Sequence, residues 1–322
     1  MKRNLFAWVL AAFALLAGMG PAAAQFLRLD IAYVGRDDEP SAWTAWRIKE
    51  LAEAAMPGKI TARVLDPAEA VEPGKLSGAV VLGDIQLALI PVPFMSAYSS
   101  RFQIFEFPFV FNSLEDIAAW QDGPKGRALL QGLGAKGLVG LGYLRAGPRH
   151  TAAARALLRP ADAEGLRFLL RDFPIARALL NATKGKALLA GSGESIADLI
   201  ASGAVEVVRG TWADLESSGA AEGLGVVTRS NDVFETHVAV TGTALWNDMS
   251  RPMREAVEAA VRQAIADGDA YAVQRNADAR RRLADKGVQV VDLAADDIAA
   301  WRVLYRDVLK AHGVQLDEPA AK

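Results

Sequence analysis

The sequence predicts an α/β fold, because short β-branched segments alternate with helical segments along most of its 322 residues. One helical pattern in the second half is much longer than the others. Hydrophobic residues make up 52% of the chain and cysteine is absent, so a large core can form without disulfides. The length favours about two domains.

The alternation begins early in the chain. Residues 27–34 (LRLDIAYV) alternate as a strand does, and the helix predicted over 41–56 ends at Pro57. Further strands are predicted at 60–65, 85–90, 138–144, 166–170, 187–189, 205–208 and 234–241, with helices over 175–180 and 195–201. This order is typical of helices layered on sheets.

The longest helical pattern follows Ser250, a predicted N-cap. Its apolar residues repeat at four-residue spacing, at Met253, Val257, Val261 and Ile265. We expect one helix of about 35 residues, far above the globular mean of about 11–12. Such a helix could run along both domains. The last helix is predicted over 296–311.

The first 24 residues are predicted to be a secretory signal peptide. Lys2 and Arg3 are positively charged, residues 5–16 are almost wholly apolar, and residues 22–24 are alanines. Cleavage is expected before Gln25. The apolar run is shorter than the roughly 20 residues that span a bilayer. We therefore expect an exported protein.

The charge balance excludes two classes of partner. The 36 basic residues nearly match the 38 acidic ones, for a net charge of −2. This composition gives no basic surface for nucleic acid or an anionic membrane. Three histidines without cysteine also argue against a transition-metal site.

Two catalytic motifs are only partly present. Gly132, Gly134 and Gly137 spell GxGxxG, but they follow a predicted helix and precede a strand, the reverse of a dinucleotide site. Ser195 partly resembles a nucleophile elbow, with His150 or His237 as base, although the second glycine is missing. A helix N-terminus at Ser195 explains the same residues. A periplasmic hydrolase using Ser195 stays open as an alternative.

Short motifs occur in a specific order along the chain. They are a short strand and a PFLF-like run within 82–111, a strand leading to G-x-R within 137–151, a P-x-D-L-K-G-L-K-like run at 160–170, an A-L-x-x-G-x-V-D-G-like run at 199–210, and Trp246 before the long helix. Together they resemble the solute-binding proteins of tripartite ATP-independent periplasmic (TRAP) transporters, the DctP-like family.

The resemblance implies a type II-like periplasmic-binding-protein fold with two lobes and a long helix spanning both. The lobes would be residues 25–146 with 235–274, and residues 147–234 with 275–322. A small organic acid would bind in the cleft between them. The protein would deliver this ligand, in the periplasm, to the integral-membrane subunits of a TRAP permease. The family implies no catalysis and no cofactor.

One departure from the family concerns the ligand. The family places an arginine after G-L-K-[IL], where a planar guanidinium can pair with both oxygens of a substrate carboxylate. Leu169 occupies that position here, whereas Arg149 keeps the G-x-R motif. A diverged protein that binds a non-carboxylate ligand, or that serves a sensor, is therefore an alternative.

Other side chains could replace the missing guanidinium. We hypothesise that Arg209 projects into the cleft and that Trp212 forms an apolar wall beside it. Alternatively, Arg209 pairs with Glu206 or faces solvent. Arg171 is a second candidate, because it lies two residues beyond Leu169 and shares its strand face.

Three aromatic residues are ligand-site candidates on the first lobe. Tyr33, Trp43 and Phe94 follow or flank the ends of predicted strands, where α/β sheets commonly bind ligands. The alternative for each residue is a place in the hydrophobic core.

Overall fold

The computed structural model describes residues 26–66, 71–171, 173–189 and 194–313. The predicted signal peptide and its cleavage site lie outside these residues. The strands are β1 (Leu27–Tyr33), β2 (Ile60–Val64), β3 (Leu87–Pro91), β4 (Leu138–Pro148), β5 (His150–Ala153), β6 (Arg167–Leu170), β7 (Lys186–Leu189), β8 (Val207–Gly210), β9 (Val226–Arg229), β10 (Phe234–Gly242) and β11 (Gln289–Asp292).

Helices separate most of the strands, as the α/β prediction requires. They are α1 (Pro40–Ala55), α2 (Leu76–Leu82), α3 (Val92–Met95), α4 (Leu114–Asp122), α5 (Pro124–Gln131), α6 (Pro174–Ala182), α7 (Ile196–Ala201), α8 (Trp212–Ser217), α9 (Ala220–Leu224), α10 (Thr243–Asp248), α11 (Arg251–Asp285) and α12 (Ala295–Ala311). Within the described residues, the strands form two sheets.

The first sheet has the order β2-β1-β3-β10-β4. β1 is parallel to β2 and β3, whereas β10 is antiparallel to both of its neighbours. One face packs against a core that contains Phe102 and Phe105, and the other packs against α1 and α11 through Ile48 and Val261. Burial on both faces makes this a three-layer lobe.

The second sheet has the order β11-β9-β5-β8-β6-β7, with β5 antiparallel to β8 and β9. One face contacts Trp301 and Tyr305 of α12. The other face contacts Trp212 of α8 and Leu283 of α11. The two sheets therefore have separate cores, which confirms the predicted two-lobed α/β architecture.

The described chain passes between the sheets at two short segments and along α11. The first crossing is Arg149, since β4 ends at Pro148 and β5 begins at His150. The second crossing is residues 230–233, between β9 and β10. The crossings are bonded to each other, because the Arg149 amide donates to the Val233 carbonyl over 2.8 Å.

The predicted long helix is confirmed as α11, 35 residues that follow the N-cap Ser250. Its first half contributes Val257 and Val261 to the first core, and its second half contributes Leu283 to the second. Between them, the buried Asn276 amide donates to the Ala146 carbonyl over 2.8 Å. The helix is thus tied to the chain just before the first crossing.

Candidate ligand-binding site

A cavity of about 340 Å³ lies between the two sheets, with walls from both lobes. The first lobe contributes residues 91–94, directly after the end of β3. On the second lobe, Thr151 pairs with Arg209 on one side and with Thr228 on the other, and all three line the cavity. The carboxyl end of β3 thus faces β8, β5 and β9, the antiparallel strands at the centre of the second sheet.

Arg149 lines this cavity from the first crossing, between the two sheets. Its Nη2 donates to the Arg209 carbonyl over 3.3 Å, and its Nε lies 3.9 Å from the Glu235 carboxylate. The Nε atom is buried and has no hydrogen-bond partner among the described residues. Burial lowers the pKa of Arg149, an effect that Glu235 opposes.

Arg209 also lines the cavity, but its guanidinium forms an ion pair with Asp232. The Asp232 carboxylate accepts a second hydrogen bond, of 3.0 Å, from Ser230. The Asp232 side chain is only 7% exposed. Glu206, the alternative partner considered from the sequence, pairs with Arg167 instead, over 3.3 Å. The role of Arg209 toward a ligand stays a prediction.

The second-lobe wall includes four consecutive residues, Phe168, Leu169, Leu170 and Arg171. Leu169 also packs against the core beneath the sheet. The Arg171 guanidinium is exposed and has no hydrogen-bond or ion-pair partner in the described part of the chain. A cation with no side-chain partner among the described residues therefore lies two residues from Leu169.

Aromatic rings meet across the cleft. Phe94 of the first lobe contacts Phe173 of the second edge to face, with ring centroids 4.9 Å apart. Phe109, in the predicted PFLF-like run, also lines the cavity. Its φ of 61° is unusual for a residue other than glycine. The amide of Phe109 donates to the Asp232 carbonyl over 2.6 Å, which fixes the ring beside the second crossing.

The structure does not bring Tyr33, Trp43 or Trp212 to the cavity wall. Tyr33 is buried in the first core, and its hydroxyl donates to Asp37 over 2.5 Å. Trp43 stacks on Tyr271 of α11 with ring centroids 5.0 Å apart. Trp212 packs under the second sheet, 4.4 Å from the His150 ring. Tyr33 is thus a core residue, Trp43 joins α1 to α11, and Trp212 packs α8 against the second sheet.

Carboxylates that the sequence did not single out also face the cavity. Glu39 precedes α1, Asp214 lies on α8, and Glu235 follows the second crossing. Burial raises the pKa of Glu39 to about 8, helped by Asp214 and opposed by Arg36. Burial and Glu235 likewise raise the pKa of Asp214. These groups come from distant segments, so only the fold could reveal them.

Of the candidates for catalysis, Ser195 caps a helix and the two histidines are buried. Ser195 is the N-cap of α7, as its helix-start interpretation predicted, and its Oγ accepts from the Asp198 amide over 3.3 Å. His150 and His237 are buried, and burial lowers their pKa values to about 3 and about 4. Gly132 and Gly134 lie in a short 3-10 helix that leads into β4, so the GxGxxG motif has the order predicted from the sequence.

In the described residues, no His, Asp and Glu side chains cluster in a group of three that could hold a metal ion. Nor does any described helix combine the length and the apolar character needed to cross a membrane.

Comparison with known proteins gives a family. Residues 31–315 match the bacterial extracellular solute-binding protein family 7, DctP. The chain belongs to this family. Its members are solute-binding proteins of transport systems, so the resemblance predicted from the short motifs is confirmed.

Individual relatives agree with the family. This solute-binding protein is 25% identical over 274 residues to the C4-dicarboxylate-binding periplasmic protein DctP of Shewanella loihica, covering 85% of this chain and 81% of that one. It resembles a TRAP periplasmic solute-binding protein of Shewanella oneidensis solved with succinate, with a TM-score of 0.83, 25% identity and coverage of 91% and 96%. A protein of Pseudomonas aeruginosa solved with L-malate gives a TM-score of 0.81, 25% identity and coverage of 88% and 99%.

Proposed function

We propose that this solute-binding protein captures a small organic acid between its lobes and delivers it to a TRAP-type permease in the membrane. The observation that carries the proposal is Arg149, which lines the cavity and whose buried Nε has no hydrogen-bond partner among the described residues. The guanidinium is partly buried and keeps donors available, and a carboxylate supplies two oxygens in matching geometry.

The position of Arg149 supports a link between binding and lobe movement. As the first crossing, it is bonded through its amide to the second crossing. A ligand held by its side chain would therefore contact the segment about which the lobes rotate. Binding energy would select the closed arrangement. We propose the lobe limits predicted from the sequence, with 147–234 and 275–322 moving as one body.

The remaining partners follow from the family. The relatives named above are periplasmic proteins, which supports export of this chain after cleavage before Gln25. Mass spectrometry of the exported protein would test the cleavage site. Delivery to a permease would be tested by measuring uptake of a bound acid in cells that lack this protein. The same cells with a plasmid that encodes the protein are the control.

The first test is thermal unfolding of the mature protein against organic acids, sugar acids, amino acids and neutral analogues. A ligand at 100 times its Kd adds about 2.7 kcal/mol, which should raise Tm by several degrees. Shifts confined to carboxylates would support acid capture. Shifts with neutral or cationic compounds alone would favour the diverged alternative and contradict the proposal.

A binding role without catalysis is part of the proposal. The Oγ of Ser195 accepts a hydrogen bond that starts α7, which gives this serine a structural function. Ser195→Ala should leave ligand affinity unchanged, and the wild type should release no product from a bound ester or amide. Turnover that disappears in Ser195→Ala would establish the hydrolase alternative instead.

A further inference from the structure

The cations of the cavity differ in how many partners they have. Arg36 is paired with Asp38 and Glu39, over 3.2 and 3.0 Å, and Arg209 is paired with Asp232. Arg149 and Arg171 are the under-paired arginines among the described lining residues. A guanidinium already neutralised by a buried carboxylate offers little attraction to a second anion. Arg171 is exposed to solvent, which screens its charge, so the partly buried Arg149 is the stronger partner for an anion.

The anions of the cavity point to the same conclusion. Carboxylates line it at Glu39, Glu106, Asp214, Asp232 and Glu235. Asp232 is neutralised by Arg209, and the raised pKa of Glu39 favours its protonated form. A second ligand carboxylate near Glu106, Asp214 or Glu235 would nevertheless be repelled. Leu169 lines the same cavity and carries no charge. Both facts disfavour a dicarboxylate.

The rest of the cavity wall is apolar and aromatic. It includes Phe94, Phe109, Phe168, Phe173, Trp301 and Tyr305. The cavity continues beneath α6, where Ala176 and Leu180 line it. Its volume of about 340 Å³ falls in the range of pockets that bind small molecules. A short dicarboxylate would leave these rings in contact with water.

We infer that the preferred ligand is a monocarboxylate with an apolar substituent, branched or aromatic, whose carboxylate meets Arg149 while the substituent lies among the phenylalanines beneath α6. This inference rests on the proposed function, because it needs acid capture by the same cavity. It adds two properties of the ligand: the ligand carries a single carboxylate, and the rest of the ligand is apolar.

Calorimetric titration of the mature wild-type protein tests the inference with three compounds. They are 3-phenylpropionate, succinate and the neutral 3-phenylpropionamide. Burial of the ring together with one paired carboxylate should make 3-phenylpropionate about tenfold or more tighter than either of the others. Tighter binding of succinate would overturn the inference and leave the proposed function standing. Failure of both acids to bind, or equal binding of the amide, would overturn both.

A pair of variants locates the substituent. Ala176→Leu fills the cavity beneath α6, whereas Ala178→Leu makes the same change on the same helix at a residue that does not line the cavity. Ala176→Leu should weaken 3-phenylpropionate by about tenfold, and Ala178→Leu by less than about twofold. Circular dichroism confirms that both variants are folded. Equal effects of the two substitutions would overturn the placement of the substituent and with it the inference.

Discussion

The two crossings between the lobes differ in how completely their charges are paired. At the second crossing, Asp232 accepts from both Arg209 and Ser230 and is almost fully buried. At the first crossing, Arg149 has a buried Nε without a hydrogen-bond partner among the described residues. Adjacent segments thus use charge in different ways. The second crossing has a paired network, and we propose that the first retains binding capacity for a ligand.

The largest effect is expected when the completed network is broken. Asp232→Ala leaves the Arg209 guanidinium without its carboxylate and should lower the free energy of unfolding by about 3–5 kcal/mol. Urea denaturation measures this loss. Asp292→Ala is the control, because Asp292 forms an exposed pair with Arg229 and should cost less than about 1 kcal/mol. Similar losses in both variants would remove the distinction between the crossings.

The opposite pattern is expected at the first crossing. Arg149→Ala should weaken binding of the tightest carboxylate by about 2 kcal/mol or more, because the ligand loses its charged partner. Its free energy of unfolding without ligand should change by less than about 1 kcal/mol, since the Arg149 side chain is partly exposed and its ion pair with Glu235 is long. Calorimetry and urea denaturation measure the two quantities. Arg155→Ala, at an exposed arginine, is the control for affinity. Unchanged affinity in Arg149→Ala would contradict the proposed function.

Backbone conformation offers a smaller contrast. Gly147 precedes the first crossing with a φ of +124°, and an added Cβ would lie 2.7 Å from the Asn276 amide nitrogen. Gly147→Ala should therefore destabilise the protein by about 1–3 kcal/mol. Asn231 in the second crossing has a φ of 46°, which glycine adopts without strain. Thermal unfolding of Asn231→Gly should differ from the wild type by less than about 1 kcal/mol; a loss as large as that of Gly147→Ala would contradict this difference.

The smallest expected effect is a pH dependence beside the first crossing. Glu39 has a pKa raised from 4.5 to about 8 by burial and Asp214, so the folded protein with its lobes together favours the protonated form. That stabilisation is complete below about 4.5 and is lost as the pH rises through about 8. Ligand affinity should therefore fall as the pH rises toward 8 and level off above it, by less than about fivefold in all because Arg36 opposes the shift. Glu39→Gln should flatten the profile; an unchanged slope in this variant would exclude Glu39 as the cause.

The sequence predicted the long and periodic elements well. α11 begins and ends within a few residues of the predicted helix, since its apolar residues repeat over many turns. Although the equally short β6, β7 and β8 were predicted, β5, β9 and β11 escaped prediction. Their hydrogen-bond partners lie far away in the chain, so pairing rather than propensity defines them.

The candidate site was predictable where a motif marked it. Arg149 and Leu169 were found through their motifs, and both line the cavity. Asp232 was missed because it lies 23 residues from Arg209 in a segment without any motif. Trp212, predicted as a cavity wall, lies close to Arg209 in sequence, but it faces the opposite side of the sheet, against His150. Nearness along the chain does not determine the face on which a side chain lies.

The position of β10 has a consequence for how the chain folds. This strand lies between β3 and β4 in the first sheet, although most of the second lobe separates it from β4 in sequence. The first sheet therefore cannot be completed until the chain has been synthesised past residue 242. Closing such long loops slows folding. The first lobe is therefore completed only after most of the second lobe has been synthesised.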